Sequence, residues 1–175
     1  MEHTLKNNLI ITLRDAVESD GAGCIEFIHK VNKESKNLMR EPEEFNMTPS
    51  EESEFIRGVT VSPNACFIVV LDKDLIISTA GFSGNSLKRI NHRVSLGISV
   101  LKDYQGLGIG RLVMETLIKR AIELKKSKMD LEVRIDNYNA IHLYEALGFE
   151  REGIIKNGFF VDNGYVDLLI MGKLL

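Results

Sequence analysis

Apolar residues along this chain switch between two spacings, every second position and every third or fourth, and the switch recurs from end to end. Leu9 to Arg14 reads as a strand. Asp20 to about Lys36 follows as a helix opened by Asp20, with Cys24, Ile25, Ile28 and Val31 at helical spacing. A polar excursion comes next. Thr48-Pro49-Ser50-Glu51 has the form of a capping box with proline in the first turn, which predicts a second helix from Pro49 to about Arg57. Ala65 to Leu71 and Leu75 to Phe82 are β-rich runs joined as a hairpin at Asp72-Lys73-Asp74, and Arg93 to Leu101 completes an antiparallel meander. Ile109, Leu112, Val113, Leu117, Ala121 and Leu124 form one apolar stripe on a helix ending near Lys126. Leu131 to Ile135 is a strand, and Asn139 to Ala146 a short helix stopped by Gly148. Two closing strands lie within Phe149 to Lys156 and Tyr165 to Leu174. No repeat, linker or low-complexity tract intervenes. The prediction is a single α/β domain over residues 9–175, a mixed sheet flanked by about four helices, behind a short tail of residues 1–8.

At 175 residues the chain is long enough for one core. Met1 to Asn8 lacks an apolar signal core and no run reaches bilayer-spanning length, so a cytoplasmic protein without membrane contact is expected. Cys24 and Cys66 stand among apolar neighbours and read as buried thiols. The four histidines, His3, His29, His92 and His142, show no ligand spacing with them, so no metal is expected. A net charge of -3 argues against a nucleic-acid partner.

Candidate chemistry concentrates at Gln105-Gly106-Leu107-Gly108-Ile109-Gly110-Arg111, between a strand and a long helix. Backbone NH groups opening a helix lack partners and carry partial positive charge, and glycines let a pyrophosphate approach the main chain. A Rossmann fingerprint fails, because Arg111 or Val113 stands where glycine or alanine is required. A P-loop fails for want of a following Gly-Lys-Ser/Thr.

The pattern Q/R-x-x-G-x-G/A, here Gln105, Gly108 and Gly110, resembles the acetyl-CoA loop of the GCN5-related N-acetyltransferases. In the family's order, Asn137-Tyr138-Asn139-Ala140-Ile141-His142-Leu143-Tyr144-Glu145-Ala146-Leu147-Gly148-Phe149 is similar to its N-x-x-A-I-x-L-Y-x-x-x-G-F segment. The likeness continues through Glu152-Gly153, Asn163 to Asp167 and Met171, and is looser upstream, at Ile11 to Arg14 and Asp20.

The resemblance implies a sheet splayed at the acetyl-CoA site. It implies transfer of an acetyl group to a primary amine of a small molecule or peptide, by direct attack in a ternary complex. Residues 105–111 would hold the pyrophosphate, with Arg111 a further phosphate partner. Main-chain groups of Ile98, Ser99 and Val100 would pair with the pantetheine arm, and the Val100 NH would polarise the thioester carbonyl. Asn137 would cap the short helix and touch the same arm. Two readings stand for Tyr144: general acid at the departing sulfur, or a packing tyrosine; exposure of its hydroxyl separates them.

The base is not fixed by the resemblance. His92 and His142 have suitable intrinsic pKa values but read more simply as surface residues. Glu41, Glu43, Glu44, Glu51, Glu52 and Glu54 form an acidic stretch without one Lys or Arg, either a lip for a cationic amine or carboxylates complementing a helix start. Lys119, Arg120, Lys125, Lys126 and Lys128 are basic enough to meet the 3'-phosphate of CoA but read more simply as a solvated helix face. The acceptor is left to the loops over 37–64 and 156–165. Leu168-Leu169-Ile170-Met171 is either core or part of a homodimer contact. A catalytically weak acetyl-CoA sensor and transfer to hydroxyls or of longer acyl chains are the alternatives.

Overall fold

Those spacings resolve into eight strands and four α-helices. The computed structural model describes Met1–Leu175. Its strands are β1 (Glu2–Thr4), β2 (Ile10–Asp15), β3 (Ala65–Asp72), β4 (Leu75–Gly84), β5 (Arg93–Val100), β6 (Lys128–Arg134), β7 (Glu150–Val161) and β8 (Gly164–Leu174). Its helices are α1 (Gly21–Glu34), α2 (Pro49–Thr60), α3 (Ile109–Glu123) and α4 (Tyr138–Ala146). They build one mixed sheet in the order β1-β2-β3-β4-β5-β6-β8-β7. The first five strands form an antiparallel meander, and β5 with β6 is the parallel pair.

Local chemistry explains the element starts. Thr48 accepts from the Glu51 NH, and Glu51 returns to the Thr48 NH at 2.8 Å, so the expected capping box opens α2. Asp20 stands before α1 but does not cap it. Its carboxylate instead accepts two bonds from Arg14, at 2.6 and 2.8 Å, and one from the Val17 NH. Residues 1–8 hold β1, paired antiparallel with β2. The closing hairpin is longer than its sequence pattern suggests. Most of residues 156–165, expected as a loop, belongs to β7 and β8, turned by Asp162 and Asn163 at positive φ of 51° and 61°.

Register shows which face each helix covers, because side chains alternate along a strand. Phe67 of β3 meets Phe55 of α2 edge-on, with ring centroids 5.8 Å apart. Its neighbour Ile68 is registered with Asp15, which Arg120 of α3 reaches at 2.7 Å, so α2 and α3 lie on opposite faces. The α1 helix packs beside α2. Leu143 of α4 lies against Gly110 of α3, so α4 shares the α3 face. From Cys66 the α3 face runs through Phe82 and Leu96 and, from Val94, to Met129, Leu131 and Val133. Asp130, Glu132 and Arg134 therefore face the α1–α2 side.

The core sits mainly between the sheet and α3, whose Val113, Met114, Leu117 and Ala121 are fully buried. Lys126 departs from the expected solvated basic face. Its ammonium is buried and donates to Asn91 O and Oδ1 at 2.9 and 2.7 Å and to Asn64 Oδ1, three acceptors for three donors. Leu168, Leu169 and Met171 are core residues of β8, enclosed by β6 and β7. No helix is long and apolar enough to cross a membrane.

Candidate active site

Strands β5 and β6 pair over only three residues, Arg93 with Lys128, Val94 with Met129 and Ser95 with Asp130, and then diverge. Ion pairs hold the closed end. Arg93 lies 3.3 Å from Asp130 across the pair, and Lys128 reaches Glu152 of β7 at 2.7 Å. Beyond Ser95 no strand pairs with β5 on its β6 side, while β4 follows it to Val100. The Leu101 NH donates to Ile77 O of β4 at 3.0 Å. Strand alternation then turns the NH and C=O of Val100 and Ile98 toward the divergence and those of Ser99 toward β4. Ser99 O accepts from Ser78 Oγ at 2.7 Å, and Val100 O from Gln105 Nε2 at 3.1 Å. Ile98, Ser99 and Val100 thus do not present their main chain alike. The Val100 NH and both groups of Ile98 border the gap, and Ser99 belongs to the β4 side.

At the open end lies the glycine turn. Gly106 and Gly108 take positive φ of 76° and 93°, where a side chain is strained, and a Cβ at either meets no protein atom within 4 Å. Gly108 precedes the first turn of α3, so the early NH groups of that helix open outward from a turn free of side-chain bulk. That arrangement fits a pyrophosphate. Gly110 has a different local reason: a Cβ there would lie 3.1 Å from Leu143 Cδ2, so it sets how closely α3 and α4 approach. Leu107 is half-buried against the core and Ile109 is buried, leaving main chain as what these two offer outward. Arg111 is exposed beside the turn, with only a loose 3.4 Å contact to Glu115.

On the same face, α4 carries Tyr144 and is preceded by Asn137. Asn137 Oδ1 accepts from the Ala140 NH at 3.4 Å, the expected cap. Tyr144 is 8% exposed and packs against Phe149, and burial pushes its pKa up to about 12. Its hydroxyl bonds to no group of the chain. Among the buried side-chain nitrogens and oxygens without a hydrogen bond, only Asn32 Nδ2 and Asp130 Oδ2 have no accessible surface, so the Tyr144 oxygen retains some.

Across the sheet, a cavity of about 310 Å³ lies between the α1–α2 connector and the distal half of β7. Glu132 and Glu41 supply its carboxylates, and Leu38, Phe159, Phe160 and Leu168 apolar wall. Glu132 stands two residues beyond the last parallel pair, at the mouth of the divergence. Arg134, two residues further, donates to Lys36 O at 2.7 Å and grips Asp136 at 3.0 and 2.7 Å. Lys36 in turn pairs with Asp162 in the β7–β8 turn. These bonds tie the connector, β6 and the closing hairpin around the cavity.

Other candidates separate from this place. His92 precedes β5 at the end remote from the glycine turn, roughly 25 Å away along an eight-residue strand. His142 points outward, beside Glu145 at 3.7 Å. Of the acidic stretch, Glu41 lines the cavity, Glu44 and Glu51 close capping bonds, and burial raises the pKa of Glu52. Burial also lifts the thiols of Cys24 and Cys66, to about 12 and about 11, far above the range of a nucleophile at neutral pH. Glu132 was not singled out from sequence. Its signal was Asp130, Glu132 and Arg134 at every second place in an interior strand, where an apolar run is the rule.

This fold belongs to a known class. The acetyltransferase (GNAT) family matches the chain over residues 25–149, and the protein is a member of that family of acetyl-CoA-dependent acyltransferases. A candidate ribosomal protein bS18-alanine N-acetyltransferase of Bacillus subtilis (strain 168) is 33% identical over 71% of this chain and 78% of its own. The spermidine N(1)-acetyltransferase of Vibrio cholerae is 29% identical over 83% of this chain and 84% of its own. Among solved structures, a GNAT-family acetyltransferase of Streptococcus pneumoniae superposes with a TM-score of 0.91 at 26% identity, covering 94% of this chain and 99% of its own.

Proposed function

We propose that this chain transfers an acetyl group from acetyl-CoA to a primary amine by direct attack within a ternary complex. The observation that carries the reading is the divergence of β5 and β6 just past Ser95 and Asp130, with the glycine turn and Tyr144 on one face and Glu132 on the other. Acetyl-CoA supplies the activated acyl carbon. NH groups at Gly106 to Arg111 bind phosphate, and the Ile98 and Val100 main chain pairs with the amide-bearing arm, as an adjacent strand would. Asn137, fixed by its cap bond, flanks the same arm.

Glu132 accepts a proton from the acceptor nitrogen at the mouth of the gap. The Val100 NH, with its own carbonyl held by Gln105, is a donor for negative charge developing on the acyl oxygen. As the new C–N bond replaces the C–S bond, Tyr144 gives its proton to sulfur. Its lack of a partner within the chain and its residual accessibility support that role over pure packing. Cys24 and Cys66 are too strongly protonated to support a covalent acyl-enzyme.

Titration calorimetry with acetyl-CoA, using NADH and ATP as controls, followed by thiol release across amines, tests the proposal. Selective binding with amine-dependent release supports it, and Glu132→Gln should then lower kcat by about 10²-fold or more at unchanged acetyl-CoA affinity. Binding without release from any amine would favour a sensor, and no binding would remove the basis of the reading.

A further inference from the structure

We infer that the acceptor of this site is a primary amine with an apolar chain or ring on its carbon and no carboxylate beside the nitrogen. The inference rests on the acetyl-transfer reading and narrows it. The cavity on the α1–α2 face is bounded by nine residues, six of them hydrophobic, and its two ionisable members are both acidic, Glu41 and Glu132. A cavity of about 310 Å³ accepts a body of ring or short-chain size. Phe159, registered with Val166 and so on the face that Leu168 and Glu132 share, gives that body apolar contact together with Leu38 and Leu168.

No cation belongs to the lining, and those beside it are engaged elsewhere: Arg40 lies over the Phe45 ring, 5.5 Å from its centroid. Arg134 makes one bond to Lys36 O and two to Asp136, and the Lys36 ammonium meets Asp162. A free amino acid would therefore bring its carboxylate between Glu41 and Glu132 with no guanidinium or ammonium in the lining to receive it. An ammonium on an apolar body meets the opposite situation: two carboxylates attract it and the walls take the rest. Small free amines and peptide N-termini with a hydrophobic first residue share this chemistry.

Phenethylamine, phenylalanine amide, phenylalanine and a tripeptide amide beginning with phenylalanine separate the cases. Each is titrated into the protein with CoA present and assayed for thiol release with acetyl-CoA. Phenylalanine amide is expected to bind at least about tenfold more tightly than phenylalanine, and to exceed it by a similar factor in kcat/KM. Glu41→Gln should shrink that ratio several-fold by improving phenylalanine. Preference for the tripeptide over phenethylamine identifies a chain end as the source, and the reverse a small amine. Equal binding of the amide and the amino acid overturns the inference, as does failure of all four to bind. If spermidine or an alanyl peptide is acetylated despite such a failure, acetyl transfer stands and only the acceptor class falls. If the amide binds as expected but no amine is acetylated, the cavity assignment stands and transfer falls.

Discussion

The guanidinium of Arg134 donates to the main-chain carbonyl of Lys36 across 98 residues of sequence, at 2.7 Å. Arg134 is held for this by Asp136, and its side chain is only 11% exposed. One bond thus fixes the connector bearing Leu38 and Glu41 to the strand bearing Glu132. Arg134→Met should raise KM for the amine several-fold at near-constant acetyl-CoA affinity, with a loss of about 1–2 kcal/mol in stability. Hydrogen exchange at residues 36–41 should quicken. Unchanged exchange there, or an equal loss of acetyl-CoA affinity, would reduce Arg134 to a general stabiliser.

Tyr144→Phe removes the hydroxyl and keeps the ring against Phe149. We expect kcat to fall about 10²-fold with acetyl-CoA affinity intact. Because burial raises the Tyr144 pKa to about 12, the group stays protonated through the alkaline range where a free tyrosine, near 10, would ionise. An alkaline loss of rate with a midpoint near 10 would show that another group, or a solvated Tyr144, controls it. The linked effect on stability is full below the unfolded value and is lost as pH rises from about 10 through the folded value.

Two glycines of the turn should respond differently. Gly108→Ala imposes a left-handed φ on a side chain at a cost of about 1–2 kcal/mol, and its methyl projects where the chain itself offers no obstacle. Acetyl-CoA affinity should drop at least about tenfold if that space belongs to phosphate. Gly110→Ala instead presses on Leu143. It should shift the melting temperature more than the binding constant, and calorimetry with thermal melts on both variants checks the contrast.

Asp20 is an acid-sensitive support for the start of α1. Two bonds from Arg14 are the main cause holding its carboxyl below the usual value. The stabilisation is present above the unfolded pKa near 3.9 and disappears as pH falls through the lower folded value. Asp20→Asn should cost roughly 1–2 kcal/mol at pH 7, since Arg14 is one-third exposed and partly screened. Urea curves of the variant and the wild type should converge in strong acid; a gap that persists there would exclude this ion pair as the cause.

What could be read from sequence was what depends on neighbours a few residues apart. The Thr48–Glu51 box, the glycine turn opening α3 and the Asn137 cap each rest on local bonds, and each stands where the pattern placed it. Lys126 could not be recognised as buried, because Asn64 and Asn91, which satisfy it, come from distant segments. The distal β7–β8 hairpin was hidden by the irregularity between Ile155 and Phe159, with Asn157 at φ 53°, which breaks the period-two pattern. Glu132 is not legible locally, because Leu131 and Val133 alone define the strand and what makes the opposite row functional is the distant connector and β7.

A sheet whose two halves are joined by three residue pairs is an incomplete fold held open by design of its backbone. In the proposed reading, both main-chain groups of Ile98 and the NH of Val100, which a neighbouring strand would elsewhere satisfy, pair with acetyl-CoA instead. A ligand that binds only the folded state adds about 2.7 kcal/mol at a hundred times its dissociation constant. On that reading the melting temperature of this chain should follow the thioester concentration around it, and its resistance to proteolysis should rise and fall with the supply of its own substrate.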